Sequence, residues 1–251
     1  MSGTDRVDRR HEFAGKRVLV TGAGKGIGRA TALLLAQRGA QVVALSRSED
    51  DLRSLAADIG CETHAVDLAD ADAARAAAIA AQPIDLLVNN AGIARLQSFV
   101  EMDVEAFDET MAVNVRAAMI VGQVCARNMI ERGVGGAIVN VSSLSAHVGF
   151  ASHGAYCASK AALDGLTRVM AVELGGQGIR VNAVNPTVTL TPMAEKAWSD
   201  PAKSAQMLSR IPLNRFVEPE EVAQTIAYLL SDDARMINGV SLAVDGGFLA
   251  R

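Results

Sequence analysis

The sequence contains no apolar run that approaches the roughly 20 residues required for a membrane-spanning helix. It has no excess of positive charge either: the formal net charge is −4, so neither nucleic acid nor a membrane surface is an expected partner. Cysteine is scarce, and Cys61, Cys125 and Cys157 have no close pairing. We therefore expect free thiols and a cytoplasmic location, in which thiols stay reduced.

The chain also lacks the linkers, low-complexity tracts and repeats that would divide it into several domains. Half of its 251 residues are hydrophobic, which is sufficient for one large buried core. Residues 1–13 are polar and of mixed charge, so we interpret them as a flexible lead-in and expect neither a signal peptide nor an anchor there. Residues 14–251 are predicted to form a single domain.

Short apolar runs alternate with helical patterns along almost the whole chain. The runs are RVLVTG, AQVVALSR, CETHAVDL, IDLLVNN, GGAIVNVSS, IRVNAVNP and GVSLAVDGG. Continuous Val, Leu and Ile runs are typical of parallel strands that helices cover on both faces. The alternation therefore predicts an α/β fold: a single-domain, Rossmann-type, doubly wound parallel β-sheet with helices on both faces.

Two segments depart from this pattern of short helices. Residues 104–133 predict one long helix, although Asn114 in its middle is of a residue type that favours caps and turns. Over residues 195–221 the pattern loosens and prolines interrupt it. This second segment is predicted to form a mobile flap over a site.

A glycine-rich segment of the form T-G-x-x-x-G-x-G joins the first predicted strand to the first helix. Glycines there permit a tight turn and let a pyrophosphate approach the N–H groups at the positive end of the helix. A purely structural loop is the alternative, but the position between strand and helix favours dinucleotide binding. The predicted cofactor contacts in this segment are Thr21, Gly22, Gly24, Lys25, Gly26, Ile27 and Gly28.

The end of the second strand bears on the choice of dinucleotide. An acidic residue there would accept the ribose 2′-hydroxyl of NAD, whereas this chain has Ser46 and Arg47. The acidic residues 49–51 that follow fit a capping box with Ser48 as the N-cap. Arg47 and Lys25 suit the additional phosphate of NADP, so NADP(H) is the predicted cofactor and NAD(H) the alternative. If both cations are only solvated surface charges, this preference fails.

Polar residues also follow the third and fourth strands. Asp67 can accept the adenine amino group, or it can simply cap the next helix. The adjacent Asn89 and Asn90 follow buried apolar residues, where amides are costly unless they are hydrogen-bonded. They can tie neighbouring strands together or line the cofactor crevice, and we expect both. The predicted cofactor contacts here are Asp67, Leu68, Asn90, Ala91 and Gly92.

A candidate acid and base follow the fifth strand, which ends at Ser142 and Ser143. Tyr156 and Lys160 are spaced i and i+4 and therefore lie on one helix face. A lysine ammonium favours the phenolate, so we expect it to lower the pKa of the phenol and to permit proton exchange near neutral pH. Ser143 could hold the substrate oxygen, and Asn114 could hold a water that relays protons through Lys160. Such Tyr–Lys pairs also occur on ordinary solvated helix faces, which is the alternative.

In order and spacing, these motifs resemble those of the short-chain dehydrogenase/reductase family. The motifs that match are residues 21–28, residues 89–92, Asn114, Ser143 and Tyr156-x-x-x-Lys160, and the match extends from about residue 15 to residue 247. The resemblance implies catalytic roles for Asn114, Ser143, Tyr156 and Lys160, and no metal. It also implies a homotetramer, in which the helix with Asn114 and the helix with Tyr156 pack against partner subunits.

Longer segments, among them DLLVNNA, RVNAVNPTV and WSDP, are similar to the L-xylulose (dicarbonyl) reductase group of that family. That likeness implies cofactor contacts from Pro186, Thr187, Val188, Thr189 and Thr191. It implies a substrate pocket of Ser143, Ser145, Phe150, His153, Tyr156 and Trp198. His153 could instead cap a helix, and Trp198 could simply pack the flap. Leu144 and Phe150 depart from the pattern of the group and favour a somewhat less polar carbonyl substrate.

The sequence thus predicts an NADP(H)-dependent oxidoreductase that interconverts a small ketone, ketose or dicarbonyl and the corresponding alcohol or polyol. One alternative is an NAD-dependent polyol dehydrogenase of the arabinitol, xylitol or threitol type. A second is a non-catalytic dinucleotide-binding scaffold or sensor. The presence of all four predicted catalytic residues argues against this second alternative.

Overall fold

The computed structural model describes residues 11–192, 194 and 198–250. Within them, seven strands form one sheet in the order β3-β2-β1-β4-β5-β6-β7. The strands are β1 (Arg17–Thr21), β2 (Gln41–Ser46), β3 (Glu62–Ala65), β4 (Leu86–Asn89), β5 (Gly136–Val141), β6 (Ile179–Pro186) and β7 (Ser241–Val244). All adjacent strands are parallel, and the order reverses direction between β1 and β4. The predicted doubly wound sheet is confirmed.

Helices cover both faces of the sheet. They are α1 (Gly26–Gln37), α2 (Glu49–Ile59), α3 (Ala71–Ala80), α4 (Val104–Met111), α5 (Ala117–Glu131), α6 (Gly154–Gly175), α7 (Pro201–Leu208) and α8 (Pro219–Leu230). Val18 and Val20 of β1 face a core cluster shared with α1 and α8, whereas Leu19 faces a cluster shared with α3 and α5. Because both faces are buried, successive side chains are apolar, which explains the continuous runs in the sequence.

The packed domain begins before residue 14, earlier than the sequence predicts. Residues 1–10 of the predicted lead-in lie outside the described residues. Phe13, by contrast, is only 2% exposed and belongs to the core, and its N–H donates to the Arg38 oxygen at 2.9 Å. Glu12 forms an ion pair with Arg38 at 2.9 Å. The burial of one large apolar side chain therefore places these residues in the domain.

The long helix predicted over residues 104–133 is present, but its winding changes in the middle. A π-helical turn, Ala112–Arg116, connects α4 to α5 without a break. Asn114 lies in this turn and is 1% exposed. A π turn adds one residue to a helical turn, and such turns are frequent at functional sites.

The predicted flap is only partly described, since residues 195–197 lie outside the described residues. In the rest of it, Met207 and Ile211 are buried in a third apolar cluster, and Trp198 packs on Phe216 with ring centroids 6.0 Å apart. The mobility of this segment stays a prediction.

Within the described residues, no helix is both long and apolar enough to cross a membrane. The three cysteines are free thiols, and Cys125 is buried.

Candidate active site

The glycine segment forms a close turn around the N-terminus of α1. Gly22 has a φ of +65°, and a Cβ on Gly28 would collide with the Gly22 oxygen and with Nδ2 of Asn90. Lys25 is the N-cap of α1 and makes no side-chain capping hydrogen bond, whereas side chains do cap α2, α3, α4 and α7. The first N–H groups of α1 therefore remain available to an anion such as a pyrophosphate.

The paired asparagines hold this turn in place. Asn90 Nδ2 donates to the main-chain oxygens of Thr21 and Gly22 at 3.0 and 3.1 Å. The Thr21 hydroxyl in turn accepts from the N–H groups of Asn90 and Ala91. Asn89 Nδ2 donates to Oδ1 of Asn140 on β5 at 2.9 Å. The expectation that the asparagines tie neighbouring strands is confirmed.

A crevice of about 440 Å³ opens at the carboxyl ends of β1 to β4. Its volume lies in the range of ordinary ligand pockets. Of the predicted cofactor contacts, it is lined by Gly22, Lys25, Ser46, Arg47, Asp67, Leu68, Ala91 and Gly92. It is also lined by Ser48, Asp51, Val66, Ile93 and Val113, which the sequence analysis did not identify. Ser48, Val66 and Ile93 each adjoin a predicted cofactor contact in the sequence, and Val113 adjoins Asn114 in the π turn. Asp51 is predicted from the sequence only as part of the capping box of α2.

Several predicted contacts support the crevice rather than line it. Ile27 packs against the core, and a Cβ on Gly24 would approach Ser46 Oγ to 3.0 Å. A Cβ on Gly26 would approach the side chain of Thr191 to 2.9 Å, so the segment after β6 lies over the glycine turn. These close approaches explain why glycine is required at both positions.

The charges at the outer end of the crevice match the prediction in part. Ser48 caps α2 by accepting from the Asp51 N–H at 3.2 Å, and Glu49 and Asp50 both pair with Arg53. Lys25 pairs with Asp51 at 3.1 Å. Arg47 is exposed and makes no hydrogen bond or ion pair within the described part of the chain. Of the two described cations that line the crevice, Arg47 is therefore the one that is free to bind an anion.

Asp67 is not the N-cap of the helix that follows it. That position belongs to Asp70, whose side chain accepts from the first N–H groups of α3. One oxygen of Asp67 accepts from the Ala69 N–H at 3.0 Å, and the residue lines the crevice. The other oxygen is available to a ligand amino group.

Tyr156 and Lys160 share one face of α6, as predicted. Lys160 Nζ lies 5.6 Å from the centroid of the Tyr156 ring. Lys160 is 3% exposed, and its ammonium donates to the Val141 oxygen at the end of β5 at 2.8 Å. A Cβ on Gly92 would lie 3.5 Å from Lys160 Nζ, so the ammonium adjoins the turn that lines the crevice.

The predicted lowering of the Tyr156 pKa is wrong for the chain by itself. Burial raises the pKa of the Tyr156 phenol, and a hydrogen bond with Ser143 only partly opposes this effect. Burial lowers the pKa of Lys160 to about 8, and the charge of Asp164 acts in the other direction. For both groups desolvation, which disfavours the charged form, is therefore the largest effect on the pKa.

Ser143 lies beside the tyrosine. Its side chain accepts from the Ser145 N–H at 3.1 Å, which caps the short helical turn Leu144–Ala146. The Ser143 side chain also lowers the pKa of the Tyr156 phenol, against the effect of burial. Ser142 donates to the Lys160 oxygen at 3.2 Å and so joins β5 to α6. Ser145 itself is buried. The structure thus brings together Ser143, Tyr156 and Lys160.

Asn114 connects the crevice to the helix of the tyrosine. Its Oδ1 accepts from the Ile93 N–H at 2.8 Å, and its Nδ2 donates to the Ile93 oxygen at 3.0 Å and to Ser159 Oγ at 2.9 Å. Ser159 Oγ donates to the main-chain oxygen of Tyr156 at 2.8 Å. Both hydrogens of the Asn114 amide are therefore engaged. The predicted relay water would have to bind the remaining lone pair of Asn114 Oδ1 or the main-chain oxygen of Asn114.

Aromatic rings form the wall beside Tyr156. The ring centroids of Tyr156 and His153 lie 6.3 Å apart. The centroid of His153 lies 5.7 Å from that of Phe150, and the centroid of Phe150 lies 6.2 Å from that of Phe248. His153 is the N-cap residue of α6 but makes no side-chain capping bond. Phe248 was not identified from the sequence, because an aromatic residue after two glycines does not by itself indicate a functional site. Leu144 is buried in the cluster of Phe248 rather than exposed to a pocket.

The segment after β6 carries an unsatisfied polar group. Thr187 is buried, and its hydroxyl has no hydrogen-bond partner within the described residues. The Thr189 hydroxyl donates to the Thr187 oxygen at 3.0 Å. A buried hydroxyl without a partner is rare, and a ligand amide bound at this predicted cofactor contact would supply one. Pro186, at the end of β6, and Val188, which packs on the third apolar cluster, flank this group.

The chain is similar to known proteins over almost its whole length. A family model described as enoyl-(acyl carrier protein) reductase matches residues 22–249. L-xylulose reductase from Bos taurus is 56% identical over 95% of this chain and 98% of its own length. D-erythrulose reductase from Gallus gallus is 53% identical over 94% of this chain and 97% of its own length. Carbonyl reductase [NADPH] 2 from Sus scrofa is 48% identical over 95% of this chain and 98% of its own length.

A similar solved structure is that of a putative NAD(P)-dependent gluconate 5-dehydrogenase from Beutenbergia cavernae with bound NADP. Its TM-score is 0.92 at 36% identity, over 96% of this chain and 100% of that chain. Levodione reductase has a TM-score of 0.90 at 33% identity, over 95% and 99%, respectively.

Proposed function

Because the chain belongs to the short-chain dehydrogenase/reductase family, we propose that it is an NADP(H)-dependent oxidoreductase. It interconverts a small ketone, ketose or dicarbonyl compound and the corresponding alcohol or polyol. The observation that carries this proposal is the convergence of Ser143, Tyr156 and Lys160, the last of which adjoins Gly92 in the lining of the crevice. The Ser143 side chain is near enough to lower the pKa of the Tyr156 phenol, and the ammonium of Lys160 lies 5.6 Å from the centroid of the Tyr156 ring.

The residues present fit a dinucleotide. The uncapped N-terminus of α1 suits a pyrophosphate, Asp67 suits an amino group, and the unsatisfied Thr187 hydroxyl suits an amide. When bound, the reduced nicotinamide would supply the hydride for reduction of the carbonyl group. The unpaired Arg47 supports NADP(H), as do the NADP bound to the gluconate 5-dehydrogenase relative and the name carbonyl reductase [NADPH] 2.

Tyr156 is the proposed acid in the reductive direction. Its raised pKa keeps the phenol protonated at neutral pH, so it can donate a proton to the carbonyl oxygen. The Ser143 hydroxyl donates a hydrogen bond to the oxygen as negative charge develops. The Lys160 ammonium stabilises the phenolate that remains, and from its place beside Gly92 it would also hold the ribose hydroxyls of the nucleotide. Asn114 holds the turn at Ile93 against α6.

The proposed substrate is a small carbonyl compound of modest polarity. The names L-xylulose reductase, D-erythrulose reductase and carbonyl reductase among the relatives support a short keto compound. Phe150 and His153 form the wall beside Tyr156, and Trp198 packs on Phe216 in the adjacent cluster. Among the described residues, the rings of Phe150 and Phe248 give this wall an apolar character, which favours dicarbonyls over fully hydroxylated sugars.

Cofactor oxidation assays test the proposal. Purified protein is mixed with NADPH or NADH and with L-xylulose or diacetyl, and the reverse reaction is measured with xylitol and arabinitol. We expect kcat/KM to be higher with NADPH than with NADH. Preferred oxidation of polyols with NAD would instead support a polyol dehydrogenase. Binding of NADPH without turnover of any of these compounds would support a scaffold or sensor.

A cytoplasmic homotetramer is the proposed assembly. The three free thiols fit a reducing compartment. Val169 and Val172 on the outer face of α6 are 52% and 83% exposed, which suits a helix that packs against a partner subunit. The molar mass from light scattering on a size-exclusion column tests the tetramer, and a monomeric mass would contradict it.

A further inference from the structure

Asp164 is a buried carboxylate to which the proposed reaction assigns no role. It lies on α6 one helical turn after Lys160 and is 3% exposed. Removing a carboxylate from water is costly unless hydrogen bonds or an opposite charge compensate. The contacts of Asp164 therefore indicate what its charge does.

One contact leads to Ser143. Nδ2 of Asn185, on β6, donates to Oδ2 of Asp164 at 2.9 Å and to the main-chain oxygen of Ser143 at 3.0 Å. Asn185 is fully buried, so no water competes for its amide. The carboxylate fixes the Asn185 amide, and the amide fixes the main chain of the serine.

A second effect of Asp164 reaches Lys160. The two residues are spaced i and i+4 on α6, and both are buried. Burial lowers the pKa of Lys160, and the negative charge of Asp164 opposes that effect and holds the value at about 8. Without this charge, the lysine would lose its proton at a lower pH.

Few other charged groups face Asp164. Nε2 of His147, which follows the turn Leu144–Ala146, lies 3.6 Å from Asp164 Oδ2. Arg168, one turn further along α6, is exposed and forms no ion pair with Asp164 in the described part of the chain. Oδ1 of Asp164 is buried and lacks a hydrogen-bond partner among the described residues. The charge is therefore not neutralised by a full set of donors.

We propose that Asp164 is a positioning residue of the active site, which holds the main chain of Ser143 through Asn185 and maintains Lys160 as an ammonium. The inference rests on the proposed reductase function, because it assigns Asp164 to the same site. A carboxylate is required for the second role, whereas an amide of the same shape could fill the first.

The substitution Asp164→Asn separates the two roles, because it keeps an acceptor for Asn185 and removes the charge. Two measurements are made as a function of pH: kcat/KM for NADPH-dependent reduction, and the acetic anhydride labelling of Lys160, followed by mass spectrometry. We expect both curves to shift to lower pH by about 1 unit, since a nearby opposite charge contributes about that much. Glu173→Gln, an exposed carboxylate neutralised on the same helix, is the matched control and should shift neither curve.

The proposal would be overturned if kcat/KM of Asp164→Asn fell by the same factor at every pH while the pH dependence of Lys160 labelling stayed unchanged. If that protein does not fold, Asp164→Glu provides the test, because the charge is retained while its position changes. We then expect the wild-type labelling curve and a reduced kcat, and an acid shift of the labelling would contradict the proposal. Labelling does not require turnover, so a shift without any reductase activity would reject the proposed function and leave the effect of Asp164 on Lys160 standing.

Discussion

Asn90 Nδ2 donates to the main-chain oxygens of Thr21 and Gly22 at 3.0 and 3.1 Å, and so joins the end of β4 to the glycine turn. This amide also lies where a side chain on Gly28 would have to go. The turn therefore has its shape because the residue at position 28 has no Cβ, and α1 begins close against the sheet as a result.

Gly28→Ala is predicted to distort this turn. The added methyl group collides with main-chain and amide atoms that cannot move independently, so we expect a loss of about 1–3 kcal/mol in the free energy of unfolding. NADPH affinity should fall at least tenfold, as measured by the fluorescence of the bound nucleotide. Gly176→Ala is the control, because its Cβ would meet nothing within 4 Å and its φ is −64°. Unchanged NADPH affinity in Gly28→Ala would contradict the assignment of the turn.

Tyr156→Phe is predicted to leave NADPH binding nearly intact and to lower kcat for reduction by about 10²–10⁴-fold, which is the usual contribution of a positioned acid. The ring and its contacts with Lys160 and His153 remain, and only the proton donor is lost. Steady-state kinetics with diacetyl measure the effect. Tyr228→Phe on α8 removes the other tyrosine hydroxyl, away from the site, and should leave kcat within about twofold. A near-native kcat in Tyr156→Phe would refute the role.

The strands were predictable from the sequence, whereas several features of the site were not. Near-continuous apolar runs identify strands buried on both faces, and such runs are local. The π turn at Asn114 leaves no comparable signal, because one additional residue in a turn hardly alters an apolar pattern. The contacts of Asp164 join residues 21 positions apart, and those of Phe248 with Phe150 join residues 98 positions apart. Only the folded chain brings these groups together.

The error over Tyr156 has a physical cause of the same kind. The sequence shows that an ammonium lies one helical turn away, and this alone predicts a lowered phenol pKa. It does not show that Lys160 is buried and that the half-buried Tyr156 phenol is desolvated, and desolvation reverses the direction for the phenol. Local spacing thus reveals which charges are neighbours, whereas desolvation depends on the packing of α6 against the strands.

The activity is predicted to fall as pH rises through about 8, where Lys160 loses its proton in the free protein. Below that pH the ammonium is present, and burial keeps the Tyr156 phenol protonated throughout, so the proposed acid is intact. The pH profile of kcat/KM reports groups of the free enzyme and is the quantity to measure. A reductive profile that is flat from pH 6 to pH 10 would show that the charge of Lys160 is not required.

Arg47→Ala is predicted to weaken the preference for NADPH. A charge-assisted hydrogen bond to phosphate is worth about 1.5–3 kcal/mol, so kcat/KM for NADPH should fall tenfold or more. The value for NADH should change little, because NADH has no 2′-phosphate. Arg53→Ala is the matched control, since Arg53 is also an exposed cation near this end but pairs with Glu49 and Asp50 on α2. An equal loss for both cofactors would place Arg47 elsewhere in the site.

Phe248→Ala is predicted to change substrate selection more than catalysis. The ring centroids of Phe248 and Phe150 lie 6.2 Å apart, and Phe248 is buried in the same apolar cluster as Leu144. Among the described residues, Phe248 makes no ring contact or hydrogen bond with Ser143, Tyr156 or Lys160. Its removal leaves a cavity behind Phe150 and costs about 3–5 kcal/mol of stability. Phe150 then loses its fixed position, and we expect KM for diacetyl to rise severalfold while kcat stays within about threefold. Phe99→Ala removes an exposed phenylalanine and serves as the control, since it should alter neither stability nor KM. A fall in kcat at unchanged KM would instead mean that the C-terminal turn positions Tyr156 directly.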